Sequence, residues 1–236
     1  MWDGADADIV VHAYRHTLSA SNAANVGSSN ATPLDPKGEL QLPAVFRHMK
    51  RMGVKVIACS HADRAYGALV RHANKHKMFV SPDEVFNEYR RPESTIGKSN
   101  DDPEIRKILE QRIERFGTHT ESEDGTETFV ETMLAIAGGL QELRTIAARH
   151  DTKVIGLLGH GLRLRQAQAW ILSQGDWDQF TWLFKSMYRV GGFLNGAHTC
   201  FWYGYAFRES PKYKEGAEKC WNIELGDNSH IPRALQ

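Results

Sequence analysis

Hydrophobic positions along this chain switch between two periods. Ile9–Tyr14 is a short, apolar, β-branched run of the kind that fills a strand buried on both faces. Thr17 to Ala31 is rich in Ser, Asn, Ala and Gly and reads as a loop. Asp35-Pro36 pairs an N-cap with a proline at the first helical position. Leu42, Val45, Phe46 and Met49 then recur at helical spacing. Pro43 conflicts with that helix, because its ring meets the carbonyl four residues back, so a kink or a late helix start is expected. Gly53 closes the helix, and Val54–Cys59 is a second buried strand. Tyr66, Leu69, Val70 and Ala73 form the next helical stripe, and Met78–Val80 a short third strand. Asn87 to Asp102 is a polar, arginine-bearing loop, Pro103–Phe116 a charged helix and Gly117–Gly125 an exposed linker. Phe129, Met133, Ile136, Leu140 and Leu143 share one face of a long helix. Lys153–Leu158 is a fourth apolar strand, followed by Gly159-His160-Gly161. Leu164, Ala167 and Ile171 mark another helix, and Trp177, Phe180, Phe184 and Met187 a further one. His198–Phe207 and Lys219–Leu225 read as a closing strand pair.

Strands alternating with helices predict an α/β three-layer sandwich, with a mostly parallel central sheet and helices on both faces. No internal repeat or strong boundary interrupts the pattern, so residues 1–236 are read as one domain. Right-handed crossovers place the C-terminal ends of the parallel strands on one rim. Ligands of such folds bind on that rim. Three predicted strand ends carry polar chemistry there: Arg15-His16, Ser60 with Arg64 just beyond, and His160.

Bulk composition narrows the partners more than the fold. The chain has 29 basic and 29 acidic residues and a formal net charge of zero, which predicts neither nucleic-acid binding nor an anionic membrane partner. Three cysteines argue against a disulfide framework and for a reducing compartment. The acidic N-terminus (Asp3, Asp6, Asp8) lacks the basic and apolar regions of a signal peptide, and no run approaches the ~20 apolar residues of a membrane helix. A cytoplasmic location is the expectation.

Two histidines and two arginines therefore converge from distant parts of the sequence. A guanidinium's planar fork of donors suits phosphate oxygens, and a neutral imidazole is a competent nucleophile near neutral pH. Phosphoryl transfer needs an in-line nucleophile, charge stabilisation on the equatorial oxygens and a proton for the leaving group. His16 suits the attack, and Arg15, Arg64 and His160 suit the oxygens. The missing carboxylic acid should come from a loop on the same rim; Glu88 in "FNEYRR" is the best candidate, with Asp83 and Glu84 nearby.

These residues and their order resemble the histidine phosphatase superfamily, also called phosphoglycerate-mutase-like. Arg15, His16, Ser19 and Asn22 are similar to the family's opening Arg-His motif. "LDPKGELQ" (Leu34–Gln41) is similar to its Leu-(Thr/Ser)-Pro-x-Gly pattern, and Ser60, Arg64 and Ala65 to its Ser-x-x-x-Arg-Ala. "FNE" (Phe86–Glu88) looks like the acid's context, "GHG" (Gly159–Gly161) is similar to the family's Ser-His-Gly, and "WNIELGDNSHIP" resembles the last strand of many members. The resemblance spans nearly the whole chain and implies a metal-independent phosphatase without cofactor, acting on a small phosphorylated substrate through a phosphohistidine on His16. It implies Arg15, Arg64, Glu88 and His160 as further catalytic groups, with Ser19, Asn22 and Gly161 beside the substrate. Three positions depart from the pattern: Thr17 stands where the family has glycine, Gly159 replaces a serine, and "HADR" replaces the usual wording before the arginine. Thr17 adds stiff bulk beside the phosphate, which keeps open a second reading, a family-like scaffold that binds a phosphorylated ligand without turning it over. "NEYRRPESTIGKS" lacks the Tyr-Gly-x-x-Gln-Gly segment of the mutases, so hydrolysis is favoured over phosphoglycerate-type mutase activity.

Plainer readings stand beside these. Ser19 and Asn22 could serve only to shape their loop, and Gly161 could be a turn glycine rather than an anion-binding N–H. His72 and His76 have helical i, i+4 spacing without a third ligand, so a solvated face is expected rather than a zinc site. Arg90 and Arg91 fit either a substrate's anionic tail or loop ion pairs. Trp170, Trp177, Trp182 and Trp202 fit a core or a homodimer patch rather than a cofactor box. Thr17–Ala31, Arg90–Asp102 and Gly117–Gly125 are expected to form the outer wall of the pocket.

Overall fold

A six-stranded sheet of order β3-β2-β4-β1-β5-β6 organises the molecule. The structure is a computed structural model, and it describes residues 7–118, 121–122, 124–195, 202–207, 221–225 and 232–235. The strands are β1 (Ile9–Arg15), β2 (Val56–Cys59), β3 (Phe79–Pro82), β4 (Val154–Gly159), β5 (Trp202–Phe207) and β6 (Trp221–Leu225). β3, β2, β4 and β1 run parallel, while β5 pairs antiparallel with both β1 and β6. The first four strands match the predicted order, with ends displaced by one or two residues, as expected where fraying and capping decide a boundary. The expected strands His198–Phe207 and Lys219–Leu225 begin in residues outside the described set.

The helices are α1 (Ala20–Ala23), α2 (Pro36–Arg51), α3 (Tyr66–His76), α4 (Pro103–Glu114), α5 (Phe129–Arg149), α6 (Gly161–Leu172) and α7 (Trp177–Asn195). Two outcomes correct the sequence reading. Of the two outcomes expected from Pro43, the late start does not occur: α2 starts at Pro36, where Asp35 accepts the Lys37 N–H and caps the helix at its expected N-terminus. The stretch Thr17–Ala31 is not all loop, because Ser19 caps the short helix α1 within it.

Period-two alternation in the strands explains the three layers. Val11, Ala13, Val56, Ala58, Ile155 and Leu157 face one way and pack with residues of α4, α5, α6 and α7. Tyr14, Ile57, Cys59 and Leu158 face the other way, against α2 and α3. α5 is fixed at its start by a capping box, in which Thr128 and Glu131 satisfy each other's backbone N–H groups. Among the described residues no helix is long and apolar enough to cross a membrane.

Trp170 is core, whereas Trp177 and Trp182 are exposed; the side chain of Trp202 lies outside the description. His72 and His76 form no simple solvated face either. Both rings stack on Phe46, with centroids 5.8 and 4.9 Å away.

Candidate active site

The C-terminal ends of the parallel strands deliver the site. β1 and β4 pair in register up to Arg15 and Gly159, and the next N–H, that of His16, donates to the Gly159 carbonyl at 2.9 Å. Each strand's following residue is a histidine, so the two imidazoles are held side by side: their centroids are 5.2 Å apart at an interplanar angle of 59°. Both residues are buried.

Hydrogen bonds define the state of each ring. His16 Nδ1 lies 2.7 Å from the Thr17 carbonyl oxygen. That oxygen can only accept, so the proton is on Nδ1 and Nε2 carries the free lone pair. His160 Nε2 lies 2.6 Å from Ser60 Oγ, while Oγ also accepts the Ala62 N–H. Where the Ser60 hydroxyl donates to Nε2, the His160 proton is on Nδ1, a buried nitrogen without a partner among the described residues. The imidazole pKa of His16 is held well below its ordinary value, first by burial and then by the Arg64 and Arg15 charges, with the bond to Thr17 opposing them. The His160 pKa is held down by burial, then Arg64, His16, Arg15 and Arg163. Both rings are therefore neutral at pH 7.

Arg64 follows β2 and is buried, with Nη1 donating to the Ser29 carbonyl at 2.7 Å. Burial lowers its pKa, opposed by the charges of Glu88 and Asp63. Glu88 follows β3. Its Oε1 accepts the N–H groups of Tyr89 and Arg163, each at 3.1 Å, and the second of these lies in the first turn of α6. Arg163 is itself clamped: Nε donates to the Asn87 carbonyl at 3.1 Å, and Nη2 to both Glu127 oxygens at 2.9 and 2.7 Å. Of the other acids near Glu88 in sequence, Asp83 accepts the Val85 N–H and Glu84 is exposed. Arg15, Glu88 and Gly161 line a cavity of about 130 Å³ together with Asn22.

Thus Arg15, His16, Arg64, Glu88 and His160 all gather on one rim. Residues 11–190 match the histidine phosphatase superfamily (branch 1). The chain belongs to that superfamily. Solved structures share its fold at low identity. A protein described as mycobacterial hydrolase 1 superposes with a TM-score of 0.69 at 16% identity, covering 93% of this chain and 98% of its own. A mycobacterial glucosyl-3-phosphoglycerate phosphatase gives 0.68 at 15%, with the same coverage of 93% and 98%. The α-ribazole phosphatase of Shigella flexneri gives 0.65 at 13%, covering 94% and 98%. No curated protein matches the sequence.

The chain accommodates its departures from the superfamily's pattern without left-handed backbone. Positive φ occurs at Asn25, Lys77, Asp124, Asp151 and Gln174 among the described non-glycine residues, and Thr17 is not one of them. Thr17 is fully buried. The "LDPKGELQ" motif grips the nucleophile's loop. Leu18 N–H donates to Gln41 Oε1 at 2.9 Å, Leu18 carbonyl accepts the Asp35 N–H at 3.0 Å, and a Cβ on Gly38 would lie 2.0 Å from that carbonyl. Ser19 is buried as a cap and donates to Asn22 Oδ1 at 2.8 Å; only Asn22 of the two lines the cavity. Gly161 sits under Arg15, whose Nε would be 3.1 Å from an added Cβ.

The paired arginines separate. Arg90 is exposed and bonds Glu131 at 2.6 Å, while Arg91 lines the cavity and donates to Thr95 and Asn100. Loops 17–31 and 90–102 meet through bridges between Val26 and Ser99 and between Gly27 and Ile96. The Gly117–Gly125 segment contributes no described residue to the cavity wall, and α4 stands there instead. Sequence reasoning missed Arg163, Glu127 and the α4 contribution; only the salt-bridging residue types hinted at the first two. Among the described residues no three metal-ligating side chains stand together.

Proposed function

We propose that this protein is a phosphatase that hydrolyses phosphate monoesters through a phosphohistidine on His16, without a metal. The observation that carries the reading is the His16–Thr17 hydrogen bond, which leaves Nε2 unprotonated beside His160 and within the field of Arg15 and Arg64. Nε2 attacks phosphorus and the P–O ester bond breaks. Arg15, Arg64 and the His160 Nδ1–H stabilise the charge that spreads over the three non-bridging oxygens. Glu88 gives its proton to the leaving oxygen. Water then attacks phosphorus, Glu88 takes the water's proton, the N–P bond breaks, and inorganic phosphate departs with His16 restored.

His16→Ala is expected to abolish release of phosphate from an aryl phosphate while far-UV circular dichroism is unchanged, and EDTA is expected to leave the wild-type rate as it is. Acid quenching during turnover should trap a labelled phosphoenzyme in the wild type alone. Thr17 favours a second reading, binding without turnover. No phosphoenzyme and no phosphate release across a panel of esters that nevertheless bind would replace the first reading with the second.

A further inference from the structure

Glu88 sits between two residues whose backbones are held from the same place. On one side, the Asn87 carbonyl accepts Arg163 Nε at 3.1 Å. On the other, the Arg90 N–H donates to Glu127 Oε2 at 3.3 Å, and the Arg90 carbonyl accepts the Glu127 N–H at 3.1 Å. Arg163 and Glu127 are bonded to each other, with Nη2 reaching both carboxylate oxygens. One ion pair therefore brackets the loop of the proposed acid. Glu88 Oε1 accepts the backbone N–H groups of Tyr89 and of Arg163 itself, which leaves Oε2 as the oxygen to carry a proton.

The rest of the guanidinium is committed as well: Nη1 donates to Gln166 Oε1 at 3.0 Å. Arg163, Glu127 and Gln166 are 8%, 5% and 0% exposed, so the assembly is shielded from water and its bonds are costly to break. None of the three lines the cavity that Glu88 lines. An ion pair that only fastened α6 to the start of α5 would need neither the Asn87 carbonyl nor the Arg90 backbone. The same loop is tied to the opposite side of the site, because Asn87 Oδ1 accepts the N–H of His61, the residue after Ser60. Such bracing matters for an acid. Proton transfer requires hydrogen-bond reach of the leaving oxygen, and a displacement of about 1 Å can cost ~10²-fold.

We propose that Arg163, held by Glu127, is a positioning residue for Glu88: it fixes the loop 87–90 so that Oε2 meets the leaving oxygen and gives it a proton as the P–O bond breaks and the bond from His16 Nε2 to phosphorus forms. The proposal rests on the phosphatase reading and on Glu88 as its acid. Its consequence is selective: loss of the clamp slows esters whose leaving group needs that proton and spares those whose leaving group departs as a stable anion.

The test compares kcat/KM for phenyl phosphate and para-nitrophenyl phosphate, esters of similar shape whose leaving groups differ in their need for a proton. Arg163→Lys keeps a positive charge beside Glu127 but lacks the planar fork that reaches Asn87 and Glu127 together. It should lower the value for phenyl phosphate about tenfold more than that for para-nitrophenyl phosphate. Glu88→Gln should be at least as selective, and adding Arg163→Lys to it should bring no further selectivity. Far-UV circular dichroism checks the fold of each variant; if Arg163→Lys does not fold, Glu127→Gln, which retains one acceptor for Nη2, carries the same expectation. Equal losses on both esters, or no loss, beside a selective Glu88→Gln overturn the proposal and leave the phosphatase reading standing. An unselective Glu88→Gln overturns the assignment of the acid and the proposal with it. A wild-type protein that turns over neither ester overturns the phosphatase reading as well.

Discussion

The chemistry rests on where two protons sit. His16 is oriented by its own neighbour's carbonyl, which leaves Nε2 as a base, and His160 is held by a serine from another strand end, with its Nδ1–H the donor in the proposed reaction. Ser60 thereby acquires a role that its position in a Ser-x-x-x-Arg pattern did not convey. Ser60→Ala would leave the buried Nε2 of His160 unpaired, a cost of about 1–3 kcal/mol, and would release the ring to its other tautomer. Reduced stability in urea together with a lower kcat is the expected outcome; an unchanged rate would show that Ser60 does not orient His160. Arg90 and Arg91 carry a similar lesson. They are identical in type and adjacent, yet one pairs with Glu131 at the surface and the other lines the cavity. Adjacent residues leave the backbone in different directions, so residue type alone leaves their roles undecided.

At the scale of elements, the site is a set of strand ends braced by helix starts. α2 holds Leu18 through Gln41 and leaves no room at Gly38, where an added Cβ would sit 2.0 Å from the Leu18 carbonyl. Gly38→Ala is therefore expected to cost about 1–3 kcal/mol by overpacking and also to lower kcat, because Leu18 stands two residues from His16. Gly53→Ala is the control: its φ is +77° and nothing lies within 4 Å, so backbone strain alone should lower stability by about 1–2 kcal/mol with the rate preserved. Thermal melts and steady-state rates on both variants check the contrast. α6 contributes in another way. Its first turn offers the Arg163 N–H to Glu88, while the Arg163 side chain ties Asn87 to Glu127 and so fixes the loop that carries the acid. Glu88 was legible as an acid in a suitable context, but its place in the cavity wall, which Asp83 and Glu84 do not share, comes with this clamp, whose partners lie far apart in sequence.

For the whole molecule, the neutral buried histidines set a pH dependence. Burial, then the His48 charge, lowers the pKa of His12 to about 4, and the pKa values of His16 and His160 are also well below their ordinary value. Below about pH 6.5 the unfolded chain binds protons at these positions that the native state refuses. Stability is therefore complete above pH 6.5 and falls as pH drops, by up to about 1.4 kcal/mol per pH unit for each histidine. For His12 the loss ends near pH 4. Melting temperatures between pH 7 and 5 should decline, and His12→Phe should flatten the decline; a flat wild-type profile would contradict these neutral states. Much of the architecture was written in the sequence, because side-chain periods of two and 3.6 specify which local elements form and which faces they bury, and the handedness of parallel crossovers then sends the strand ends to one rim. That reasoning placed Arg15, His16, Arg64, Glu88 and His160 together. Tertiary structure alone decided the hydrogen-bond partners of the two histidines, the place of Glu88 rather than Asp83 or Glu84 in the cavity wall, the separation of Arg90 from Arg91 and the contribution of α4 to that wall. Those features depend on hydrogen bonds and packing between residues as distant as Ser60 and His160, 100 positions apart, and local periodicity carries no information about such pairings.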